Sequence, residues 1–521
     1  MQNAHIHWQI NYKNMKNNVS IIVFLYVMCI VLCYNANVTA QNKTTVFLEN
    51  AETLSFDQNV RNNAQLLQGN VRFRHDKTLM LCDNAYFYEK TNSLDAFGNV
   101  KIIQGDTLFI YGNTLYYNGN TRLAQMRNNV RMINRDAVLT TQKLDYDTYS
   151  NIGYYTDFGT LTDKKNVLTS KEGEYLTKQN IIKFKKNVVL KNAEFTLYSD
   201  TLHYHTYNSL ATIVGPTTII SDSTRIYAEK GWYNTSTEDT KLTKNGKIQH
   251  KNGKSIQGDS IFYNKKYATI EAFSNTLLKD SVQQISVLGN YGKYFEQNEK
   301  GYVTKKATFR EHSTADTLFL SADSLLYESI KGDFSVKAFR NVRFWQTDFQ
   351  GTCDSLTYNQ TDSLLTMYHN PILWNEENQI SGKVITLKMT GDKVDHFIVE
   401  EDAFILSEEN PEEFNQLSGR KIIGYILNDK IRKIEIIGNA QSIYYVKDGE
   451  SAIGTNRAES ALLTIFLNDS NQAEKIVMSP QSGGILYPTF QKNISIIRLS
   501  NFLKQNNNRP KNQYDIYTNR E

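Results

Sequence analysis

Proline is nearly missing from this sequence, with 6 in 521 residues. Central β-strands exclude proline, so its scarcity leaves strand runs unbroken. Cysteine is as rare. Of 4, Cys29 and Cys33 fall in an N-terminal apolar run, leaving Cys82 and Cys353. These two lie far apart in sequence, so no disulfide framework is implied. Each precedes an aspartate, and both read as small buried thiols. An excess of one charge is lacking too. The formal net charge is +4, and removing Lys13 and Lys16 leaves +2. That is no footprint for nucleic acid. Beyond residue 40 no stretch is long and apolar enough for a membrane-spanning helix. Sustained helical periodicity is absent as well.

Aromatics are what the chain has in quantity: 32 Tyr and 25 Phe. Sheets favour such residues. The first 40 residues stand apart. Lys13 and Lys16 precede the apolar run Ile21 to Tyr34, then Asn35 to Ala40. This is the pattern of a cleavable export signal, with Val38-Thr39-Ala40 before the cut. Translation starts at Met1 or at Met15, and an uncleaved anchor is the other reading of the segment.

From there one motif returns at a nearly constant interval. An aromatic ladder runs Phe87, Tyr117, Tyr146, Tyr175, Tyr204, Tyr233, Tyr263, Tyr294, Tyr327, Tyr358, with Leu387 in the last place. Its gaps are 30, 29, 29, 29, 29, 30, 31, 33, 31 and 29 residues. Two residues earlier stand mostly Leu, Ile, Ala or Gly, as at Leu115, Leu144, Leu202 and Ile261. Seven earlier stands a second apolar column, including Met80, Ile110, Leu139, Leu168, Leu197, Ile226 and Ile256. Four earlier the column is polar: Asp83, Asn113, Gln142, Lys171, Asp200, Glu229, Asp259, Asn290, Asp323, Asp354 and Lys383.

Strand side chains alternate faces with period two. The two apolar columns are therefore out of phase. A bulge or corner at the polar position restores the phase; the alternative is a sheet buried on both faces. Polar turns such as Asn118-Gly119-Asn120 follow each ladder residue. A second mark, such as Gly69-Asn70-Val71, Gly98-Asn99-Val100 or Asn341-Val342, interrupts each return strand. The fold class expected is all-β: an elongated, repetitive antiparallel β-jelly-roll or trough of stacked repeats of about 29–31 residues.

Repeats of this form, carried by Gly98-Asn99-Val100, Asp200-Thr201-Leu202-His203-Tyr204, Asp323-Ser324-Leu325-Leu326-Tyr327 and Asp354-Ser355-Leu356-Thr357-Tyr358, resemble the OstA-like family. That family includes the periplasmic lipopolysaccharide transport protein LptA and the N-terminal domain of the outer-membrane translocon LptD. The resemblance implies an open β-jelly-roll that shields lipopolysaccharide acyl chains during delivery to the outer membrane. It also implies a periplasmic location, possible association with the outer membrane, and two kinds of protein partner. These are other Lpt-type proteins, joined by end-to-end β-strand pairing, and the outer-membrane translocon. The ladder and the two apolar columns supply the candidate lipid-binding interior face: Ile110, Leu115, Tyr117, Leu139, Leu144, Tyr146, Leu168, Tyr175, Leu197, Leu202, Tyr204, Ile226, Tyr233, Ile256, Ile261, Tyr263, Leu325, Tyr327, Leu356 and Tyr358.

No catalytic residue, metal site or cofactor is assigned. His203-x-His205 has no local third ligand. The recurring aspartates read as corner caps, since calcium solenoids repeat at a shorter interval. A structural or adhesive surface β-solenoid is the rival function, and a polysaccharide-active β-helix enzyme a third. The organisation expected is a signal peptide over 1–40, repeats over 41–400, an acidic interrupting loop over 401–420, degenerate repeats over 421–490 and a flexible polar tail over 491–521.

Overall fold

A computed structural model describes residues 44–56, 63–312, 316–330, 332–391, 393–428, 430–449, 451–470, 472–488 and 498–517. The expected signal peptide lies outside them. The described residues form antiparallel strands, a few single-turn 3₁₀ segments and no α-helix. The chain divides into two compact units. Of the described residues, one unit holds those within 44–130 and 145–150, the other those within 131–144 and 151–517.

In the first unit the strands Gln65–His75, Thr78–Tyr88, Ser93–Gln104 and Leu108–Asn118 pair in succession. Each strand bends once. Leu81 pairs with Lys101 and Asn84 with Phe97, so Asp83 faces two residues, Gly98 and Asn99. Both have left-handed backbone, with φ of +76° and +43°. Glycine and asparagine are the residues that accept this conformation most readily, which explains the recurring mark. Asn99 Nδ2 then donates to Asp83 Oδ2 at 2.9 Å, capping the corner.

The bend resolves the phase conflict. Met80 and Cys82 are buried, Asp83 and Asn84 are exposed, and Ala85 and Phe87 are buried again. Both columns thus face one interior from two walls. The corner falls at the polar position, as expected, but the inserted residue belongs to the neighbouring strand.

The second unit repeats the device. Lys186-Asn187, Ser274-Asn275 and Arg340-Asn341 are left-handed pairs facing Asp200, Asn290 and Asp354. In some repeats the strand breaks at the corner residue. Asn166–Ser170 and Glu172–Leu176 flank Lys171, and Lys254–Gly258 and Ser260–Asn264 flank Asp259. Asn275 caps Asp259 at 3.0 Å, and Asn341 caps Asp323 at 3.2 Å. Cys82 and Cys353, each within its own unit, are free and buried, and burial pushes both thiols up to about 12.

Two stretches differ from expectation. Residues 401–420 are not a loop: they belong to strands Lys393–Glu408 and Phe414–Leu427. The acidic residues occupy a left-handed corner, Glu401-Asp402, and the turn at 409–413, while Phe404, Ile405 and Leu406 are buried. Residues 498–517 are not a free tail. They lie as a strap across the outward face of the sheet. Gln416 Oε1 accepts from Leu499 N at 2.9 Å. Gln379 donates to Leu503 O at 2.7 Å and accepts from Gln505 N at 2.8 Å. Gln350 Oε1 accepts from Arg509 Nε at 2.8 Å, and Ser321 Oγ donates to Ile516 O at 2.5 Å. Beneath the strap Leu499 joins a second buried cluster with Phe404, Leu406, Phe414, Ile443 and Tyr445. Here the sheet is buried on both faces, so the alternative set aside for most of the chain holds locally.

Candidate lipid-binding interior

The expected interior residues divide between the units. Ile110, Leu115, Tyr117 and Tyr146 are buried in the first. In the second, Leu139, Leu144, Leu168, Tyr175, Leu197, Leu202, Tyr204, Ile226, Tyr233, Ile256, Ile261, Leu325, Tyr327 and Leu356 are buried, while Tyr263 and Tyr358 are half-buried. The corner brings the two columns together. Their outward neighbours, such as Asp83 and Asn84, remain wet.

The far edges of the two walls meet along a seam. Ladder tyrosines reach across it to polar residues at the hairpin tips of the opposite wall. Tyr117 Oη pairs with His75 Nδ1 at 2.5 Å, and Tyr146 donates to Gln104 Oε1 at 2.5 Å. In the second unit Asn134 Nδ2 donates to Tyr175 Oη at 3.0 Å. Tyr204 donates to Asp163 Oδ2 at 2.7 Å and accepts from Asn166 at 3.0 Å. Tyr327 donates to Asp280 Oδ2 at 3.3 Å. Buried tyrosines normally find such a partner for the hydroxyl.

Burial governs the electrostatics. It pushes the Tyr117 and Tyr175 phenols up to about 12, against the opposing bonds from Thr148 and Asn134. It raises the Asp163 carboxyl, which the Tyr204 hydroxyl partly offsets. It lowers His75, keeping the imidazole neutral. Neutral imidazole accepts at one nitrogen and donates at the other. That fits Nδ1 on the Tyr117 hydroxyl and Nε2 on Thr44 O, 3.1 Å away.

The partners His75, Gln104, Asn134, Asp163 and Asp280 belong to a polar column that sequence reasoning missed, with Asn192, Ser221 and His250 at its remaining positions. Its gaps are 29, 30, 29, 29, 29, 29 and 30 residues, the period of the ladder. Its members look like turn residues, and only the shared interval could have marked them. His203 and His205 flank the buried Tyr204 and point away from the interior. Among the described residues no three His, Cys, Asp or Glu side chains gather into a metal-sized group.

Residues 43–200 and 179–255 match the sequence profile of the OstA-like protein family. Over this stretch, less than half of the chain, the sequence is similar to OstA-like proteins. The match covers the corners at Asp83 and Asp200 and the seam tyrosines from Tyr117 to Tyr204. Among solved structures, LptH from Pseudomonas aeruginosa, the LptA homologous periplasmic component of the conserved lipopolysaccharide transport device, is similar at 12% identity. The match covers 27% of this chain and 95% of that one, with a TM-score of 0.22. Curated proteins give no match. Among the described residues no helix is long and apolar enough to cross a membrane.

Proposed function

We propose that this chain is a periplasmic lipopolysaccharide-binding protein that shields acyl chains during delivery to the outer membrane. The observation that carries the reading is the shared interior. Two apolar columns that would face opposite ways on a flat strand line one space in a chain with an OstA-like profile. An acyl chain gains about 0.8 kcal/mol for each CH₂ removed from water. Repeating Leu, Ile and Tyr supply that gain without requiring one fixed pose.

The segment 1–40 acts as a cleavable export signal in this reading. The chain works without a cofactor and has no catalytic role. Its partners are other Lpt-type proteins, engaged by end-to-end strand pairing, and the outer-membrane translocon. Exposed apolar side chains on short outer strands support the pairing. Leu54 and Phe56 are exposed on Thr53–Phe56, and Ile485 and Leu486 on Gly483–Pro488. Such strands template another strand.

Photo-crosslinking in cells tests the function. A crosslinker at Leu202 is expected to yield lipopolysaccharide adducts, and one at the turn residue Asn234 none. Equal labelling, or none from Leu202, rejects the reading.

A further inference from the structure

One cross-strand row runs unbroken along the outward face of the second unit. From Lys191 it passes through Arg225, Lys279 and Arg310 to Gln350. It continues through Trp374 to Gln379 and through Leu406 to Gln416. The strap lies on this downstream part, and the row holds it largely by its backbone. Gln416 takes Leu499 N, and Gln379 takes Leu503 O and Gln505 N. Arg343, one row nearer the corner, donates to Asp515 O at 3.3 Å and to Asn508 O at 3.0 Å. Backbone groups are common to every sequence, so such a row can take a chain other than the strap.

Upstream the row is exposed and basic. Lys191, Arg225 and Lys279 are exposed, and Arg310 is half-buried. Hydroxyls, amides and Ile220 separate them in the row, and no carboxylate does. The next row toward the corner adds Lys247 and holds no carboxylate from Tyr198 to Arg343. Among the described residues none of these cations has a carboxylate partner. Arg310 Nε is buried without a hydrogen-bond acceptor. Carboxylates stand only at the borders. Glu229 is held by Lys244 and Asp259 by Asn275. Exposed Glu194, Asp200 and Asp222 are matched by exposed Lys251, Lys305 and Lys306. The excess of positive charge therefore stays with the row.

Lys191, Arg225 and Lys279 follow one another three strands apart, and Arg310 stands two further on. At about 4.8 Å per strand the gaps are about 14, 14 and 10 Å. An extended chain advances about 3.3 Å per residue, so carboxylates four residues apart reach about 13 Å. Neighbouring strands rotate by roughly 20°, so the row winds out of one plane. A flat lipid surface meets few of its cations, whereas a flexible chain follows it.

We propose that this upstream row is a docking site for an extended, acidic polypeptide segment of a partner protein, taken across the strands as the strap is. Its carboxylates meet Lys191, Arg225, Lys279 and Arg310. Gln249, exposed in the same row, faces its backbone as Gln379 faces the strap's. The site lies outside the lipid interior and does not depend on it.

The test follows the fluorescence anisotropy of a labelled peptide of five Asp-Ser-Gly-Ser repeats with the purified full chain. Low-salt buffer is used, because salt screens exposed charges. Replacing Lys191, Arg225 and Lys279 together with Gln is expected to weaken binding about tenfold, and Lys279→Gln alone about twofold. The same change at Lys241, Lys266 and Lys337, on the other wall, is expected to leave binding at the parent's level. Equal losses in the two triple variants, or no binding by the parent, overturn the site. Tighter binding of polygalacturonate than of the peptide, through the same three cations, assigns the face to polysaccharide and overturns it too. Phosphatidylglycerol vesicles that bind through those cations more tightly than the peptide assign it to a lipid surface, with the same consequence.

Discussion

The Tyr204 hydroxyl is held between two tip residues of the opposite wall, donating to Asp163 at 2.7 Å and accepting from Asn166 at 3.0 Å. All three residues are buried. Replacing Tyr204 with Phe leaves the Asp163 carboxyl without this donor. An orphaned buried polar group costs about 1–3 kcal/mol. Hydrogen exchange is expected to rise by that measure in Gly159–Asp163 and Asn166–Ser170. The Asp163 carboxyl, already raised by burial, should titrate higher still than in the parent, because the Tyr204 bond is the larger of the two influences that lower it, ahead of Lys164. An unchanged exchange rate would mean that the seam is held by packing alone.

The first unit should respond to pH through His75. Burial holds its folded pKa below the ordinary value of 6.5. The unfolded chain therefore binds a proton that the folded unit resists. Stability is full above 6.5 and falls as pH drops through that value toward the lowered folded one. Replacing His75 with Gln keeps a hydrogen-bonding tip without the titration. The pH dependence of exchange in Gln65–His75 and Leu108–Asn118 should flatten in that variant. The same slope in parent and variant would assign the dependence to another group.

At the corner, Gly98 has φ of +76°, and a Cβ there would meet Asp83 Oδ2 at 2.5 Å. Valine at this position adds about 1–2 kcal/mol of left-handed strain and displaces the Asp83 cap. Limited proteolysis between Phe97 and Lys101 is expected to quicken accordingly. Replacing Asn99 with Gly removes only the cap and relieves its own left-handed backbone, so it should cost less. The reverse order would show that the cap, and not glycine, shapes the bend.

The parts legible in the sequence are those that recur. Met80 and Phe87 disagree in phase, and that disagreement alone places the corner at Asp83. The seam was illegible because His75, Gln104 and Asp163 share chemistry only as hydrogen-bonding groups, across hairpins where polar residues are unremarked. The strap was illegible for another reason. Leu499, Phe502, Leu503 and Ile516 are scattered apolar residues in a polar segment with no period. What anchors them is a set of outward glutamines, Gln350, Gln379 and Gln416, that are polar where a strand's wet face is ordinarily polar.

Those glutamines give the strap a direct test. Trp374 is the cross-strand neighbour of both Gln350 and Gln379 on the outward face, and it is only 1% exposed. Ending the chain after residue 497 uncovers this indole and the cluster of Phe404, Leu406 and Ile443. Tryptophan emission should shift to the red and become more accessible to acrylamide, while the far-ultraviolet sheet signal stays. Replacing Gln379 with Ala is the milder change. It removes the partners of Leu503 O and Gln505 N, at about 1 kcal/mol for each bond. Exchange should then rise at Gln505 with little change at Ile422, which is buried on the inner face. An emission spectrum identical to the parent's after truncation would show that Trp374 is covered by something other than the strap.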